Sequence, residues 1–137
     1  MNRAGFQQLA ELRLREAEAL LAAGLPDGAY YLAGYAVECA LKACIAKRTR
    51  EHDFPEKKLV NDSHTHNLKE LLRLAELKTE LDSVLDADPE MRSNLETVQD
   101  WSETARYQRK TVLDTRALLM AIEDREGGPL PWIRLHW

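Results

Sequence analysis

Cysteine is nearly missing from this chain, and glycine is too sparse to build the loops that cradle phosphates. The two cysteines, Cys39 and Cys44, lie five positions apart in what periodicity makes one helix. Their side chains therefore diverge by about 140° and cannot pair with each other. Two cysteines make no disulfide scaffold, so buried, reduced thiols of a cytoplasmic protein are expected. The six glycines form neither a phosphate-binding loop nor a nucleophile elbow. No internal repeat, low-complexity tract or linker divides the chain. The longest apolar run, Ala29 to Ala46, carries Glu38 and Lys42 near its middle, which argues against a membrane span. The N-terminal segment lacks an apolar stretch bounded by a cleavage site and reads as an amphipathic helix. A formal charge of −4 excludes a uniformly basic surface for coating nucleic acid.

What is present is helical periodicity. At 137 residues and 45% apolar composition, the chain is expected to be one domain with a single core. No segment alternates with period two over a useful length, whereas period 3.6 recurs. Phe6, Leu9, Ala10, Ala17, Leu20 and Leu21 share one side of a first helix, which Gly24 to Gly28 should stop. Asp27 is the expected cap of a second helix, about 28–48, apolar nearly all round as in the centre of a bundle. Thr49 to Thr65 reads as one long loop, with Thr65 capping the next helix. That third segment changes stripe and should bend or split near Leu77. Asp88-Pro89-Glu90 is a strong start signal, with an acidic cap, proline in the first turn and a carboxylate beside it. A last helix spans about 110–125, and Gly127-Gly128-Pro129 leads into a tail. The expectation is an all-α domain of about five helices, the first two an antiparallel hairpin, with a core over 6–125 and a C-terminal tail over 126–137.

Tyr31, Tyr35, Glu38 and Lys42 are spaced by four, three and four residues, so they form one polar stripe on the second helix. A structural Glu38–Lys42 pair explains that spacing; so does a site where Lys42 meets an anion and the tyrosines offer stacking faces. Between positions 106 and 116, Arg106, Arg109, Lys110 and Arg116 face only Asp114. With Tyr107 and Trp101 nearby, this stretch suits an anionic, aromatic ligand such as a nucleotide or a short single strand. His64 and His66 supply at most two metal ligands, and nothing spaced near them completes a site, so neither metal nor cofactor is expected.

The segment AYYLAGYAVECALKACIAK, with SHTHNLKELL and WSETARYQ, resembles the HEPN family of small helical domains. The most specific parts are Glu38-x-x-x-Lys42-Ala43, His66 just before Leu68, and Arg106-Tyr107 after Trp101. The resemblance implies an up-and-down helical bundle, frequent homodimers and, in prokaryotes, association with small nucleotidyltransferase proteins. Many HEPN proteins are metal-independent ribonucleases and toxins that use an arginine followed, after four to six residues, by histidine. None of His52, His64, His66 and His136 has an arginine at that distance; Arg48 to His52 leaves three residues between. The leading expectation is therefore a non-catalytic module for a nucleotide or nucleic acid, working with a nucleotidyltransferase-type partner. Arg106 and Lys42 would hold phosphate, Tyr107 would stack, Arg109 would add charge, and Glu38 would orient Lys42 and Arg106. A divergent RNA endonuclease of a toxin–antitoxin system, recruiting His64 or His66 in space, is one alternative. A purely structural dimerisation module is the other.

Overall fold

A computed structural model describes residues 1–49 and 53–137. Among these residues there are eight α-helices, one 3-10 turn and no strand. The helices are α1 (Arg3–Ala22), α2 (Pro26–Lys47), α3 (Lys57–Asp62), α4 (Leu68–Leu74), α5 (Lys78–Ala87), α6 (Pro89–Gln99), α7 (Val112–Glu123) and α8 (Pro129–Arg134). The 3-10 turn, Glu103–Tyr107, joins α6 to α7.

The all-α expectation holds, and the larger helix count has three sources. The stretch read as one loop contains α3. The third segment splits at Glu76, whose left-handed φ of 60° ends α4 before Leu77 opens α5. The tail folds into α8, with Pro129 in its first turn and Leu130 and Ile133 buried against the bundle. The near-miss pair of Arg48 and His52 falls partly outside the described residues.

Two expected caps are replaced. Leu25 precedes α2 without a side-chain cap, and Asp27 sits in the first turn, where its carboxylate accepts the Lys110 main-chain N–H at 2.6 Å. That contact ties the start of α2 to the approach of α7. Asn67, rather than Thr65, caps α4 by accepting the Glu70 N–H at 3.1 Å, while Thr65 accepts from Asn67. Asp88 caps α6 as the sequence indicated, and Thr111 with Asp114 forms a reciprocal capping box at α7.

α2 is the central helix. α1 pairs with it along its length, and α4, α7, α8 and the 3-10 turn pack round its other sides. Thirteen of its 22 residues are buried, among them the carboxylate Glu38 and both cysteines. Burial raises the Cys39 thiol to about 12 and the Cys44 thiol to about 11, so both are inert as nucleophiles near neutral pH. No helix of the described residues is long and apolar enough to cross a membrane.

Candidate functional site

The stripe on α2 divides into an aromatic end and a charged end. Tyr31 and Lys42 are eleven residues apart, or about 16 Å along the helix axis. At the aromatic end, the Tyr31 and Tyr35 rings stack with centroids 6.0 Å apart and planes within 22°. Tyr31 also stacks on Trp101, at 6.2 Å and 25°. Trp101 reaches this position because residue 34 is glycine. A Cβ there would lie 2.2 Å from the indole ring, so a hydrogen alone leaves room for it.

The 3-10 turn then delivers Arg106 and Tyr107 to the same end. The Arg106 guanidinium lies 4.9 Å from the Tyr107 ring centroid, a cation–π distance. Donating a hydrogen bond to Tyr107, and to a lesser extent to Tyr31, pushes the Arg106 pKa above the ordinary arginine value. Both Arg106 and Tyr107 are solvent-exposed, Tyr107 by 80%. Arg109 is exposed on the same connection, whereas Lys110 folds back over the Tyr30 ring at 4.4 Å. This end thus offers one exposed ring, two half-buried rings and two exposed cationic heads within a short span.

The charged end is organised differently from expectation. Glu38 does not orient Arg106. Its Oε1 accepts from Lys42 Nζ at 2.9 Å and meets His66 Nδ1 at 2.9 Å. Arg106 is held among tyrosines at the other end, so Glu38 and Arg106 belong to separate groups. The Glu38 side chain is 1% exposed and Lys42 16%, while His66 is 45% exposed. Burying a carboxylate is costly without partners, and the lysine supplies the compensating charge. Its second oxygen, Oε2, and the Trp101 indole N–H are buried without a hydrogen-bond partner among the described residues.

His66 is the residue whose place in the site the spacing along α2 could not show. It lies 28 positions from Glu38 and enters from the segment leading into α4. The only signal was its position beside Leu68 in the quoted SHTHNLKELL segment. His64 diverges from it and lines a cleft beside Lys42. Among the described residues no group of three or more His, Cys, Asp and Glu side chains is arranged to hold a metal ion.

Chemically, the aromatic end can stack a planar ring and neutralise an adjacent anion. The charged end can hold a histidine ring in one orientation while leaving it nearly half exposed. No curated protein and no solved structure matches the chain. A family model described as the HEPN domain aligns with residues 6–126, a span that takes in all of α2, His66 and the Arg106–Tyr107 turn, and the chain accordingly belongs to the HEPN family.

Proposed function

We propose that this HEPN domain binds a nucleotide or a short single-stranded nucleic acid at the aromatic end of α2, without cleaving it. The observation that carries this reading is the exposed Arg106–Tyr107 pair beside the stacked Tyr31 and Tyr35. Base–aromatic stacking tolerates any base, and arginine heads match phosphate oxygens. Lys42, eleven residues along the helix from Tyr31 and paired with Glu38 at 2.9 Å, is not needed for this site. The expected partner is a nucleotidyltransferase-type protein, in a cytoplasmic complex that includes a second copy of this chain. The outward apolar side chains Leu113 and Met120 of α7, 74% and 67% exposed, support a protein contact on that side.

The test is titration of a fluorescein-labelled hexauridylate and of AMP by anisotropy at two salt concentrations. The double variant Arg106→Glu, Tyr107→Ala should weaken binding by at least about tenfold while leaving helix content intact. Equal binding by that variant would sink the assignment.

A second reading, RNA cleavage, is favoured by the His66–Glu38 contact. A histidine held by a buried carboxylate is a workable proton shuttle. It requires RNA cleavage that His66→Ala abolishes and Arg106→Glu alone does not.

A further inference from the structure

Beyond the charged end of the stripe lies an open cleft of about 900 Å³. The N-terminal turn of α1, the last turns of α2, and α3 form its walls. Its size falls within the range of small-molecule sites, about 300–1,000 Å³. The apolar lining comes from Phe6, Ile45, Ala46, Leu59 and Val60. Among the described residues, the charged or titratable side chains on the lining are Arg3, Lys42, Lys47 and His64, with no aspartate or glutamate.

α3 forms one wall in an unusual way. None of its six residues is buried, and its two aliphatic side chains, Leu59 and Val60, meet the cleft. So short a helix is not stable by propensity alone and depends on what it packs against. The cations are positioned by their neighbours. Arg3 donates to the Trp137 main-chain oxygen, Lys47 to the His136 carbonyl at 3.3 Å, and Lys42 to Glu38 at 2.9 Å. Each still carries further N–H donors, since an ammonium has three and a guanidinium five.

We propose that this cleft is a second binding site, separate from the nucleotide face, for a small amphiphilic anion with one acidic head on an apolar body. The head lies among Arg3, Lys42 and Lys47, and the body lies between Ile45 and the Leu59–Val60 wall. The two halves of the lining exclude simpler ligands. A neutral hydrocarbon would bury cationic heads without compensation, and an inorganic anion would leave the aliphatic wall in water. A nucleobase would set its polar edges against aliphatic side chains, with Phe6 the one aromatic face on offer.

The experiment is calorimetric titration of the full chain with decanoate, using decanol and inorganic phosphate as tail-only and head-only probes and AMP as competitor. Decanoate should bind at least about tenfold more tightly than either partial probe. Ala46→Trp, which fills the cleft, and Lys47→Glu, which reverses an exposed rim charge, should each weaken decanoate by about tenfold with unchanged circular dichroism. Should Ala46→Trp lose helix content, Lys47→Glu carries the test alone. Decanoate binding no tighter than decanol, or unaltered by Lys47→Glu, would overturn the proposal. Displacement of decanoate by AMP would overturn it as well, by making the cleft part of the nucleotide site.

Discussion

Gly34 decides whether the aromatic end exists. The Trp101 ring occupies the space a side chain at 34 would need, and Trp101 in turn supports Tyr31. Gly34→Ala should therefore cost about 3 kcal/mol, because the indole of a 3% exposed tryptophan has little room to move. A urea titration and near-ultraviolet circular dichroism would check this, the second reporting displaced aromatic rings. Stability unchanged by the substitution would mean that the ring and the helix do not press on each other. At this scale the sequence was informative where partners share a helix. Tyr31, Tyr35, Glu38 and Lys42 were legible from spacing because four-residue steps fix their relative direction. The Glu38–His66 contact and the Gly34–Trp101 contact were not, since each joins residues brought together only by tertiary packing.

Among the elements, α8 shows how a helix can be invisible to periodicity. Six residues hold too little pattern to read, and the two prolines within PLPWIR look like a breaker rather than a helix start. Its stability comes from burying Leu130 and Ile133 at three-residue spacing, 1% and 2% exposed. Ile133→Ala should accordingly cost about 3 kcal/mol in chemical denaturation, the usual figure for a buried isoleucine cut to alanine. A loss below about 0.5 kcal/mol would show that α8 adds nothing to the core. The contrast with α6 is physical. Asp88-Pro89 announced α6 because a cap and a first-turn proline act locally, and the structure places both where the sequence put them. α3 escaped notice for the reason α8 did, with even less burial to hold it.

Across the whole molecule, charge is partitioned rather than absent. Residues 76–103 carry nine acidic against two basic side chains, so the rest of the chain is net positive and contains both candidate sites. One pair of like charges joins distant parts of the fold. Burial, then a hydrogen bond from Glu18 and its charge, raises the Glu123 carboxyl to about 7. The native state therefore keeps a proton that the unfolded chain gives up above the ordinary glutamate value. Stability should fall as pH rises from about 4.5 to about 7, and level off beyond. Solvent screening at this partly exposed pair limits the loss to about 1 kcal/mol. Melting temperatures across that window should decline for the native sequence and stay flat for Glu123→Gln. Parallel curves for the two proteins would remove the carboxyl pair from the account.

The contacts of α8 and the residues after it also settle where appended sequence would go. Arg3 touches Trp137, and Lys47 at the far end of α2 touches His136, so both extremities of the chain meet on the rim of the cleft. A purification tag or fused domain at either extremity would emerge there, whereas the Tyr31–Arg106 face lies towards the opposite end of α2. Immobilising the protein through its termini would leave the nucleotide face open to solution and crowd the cleft. The same attachment chemistry would thus favour one assay and handicap the other.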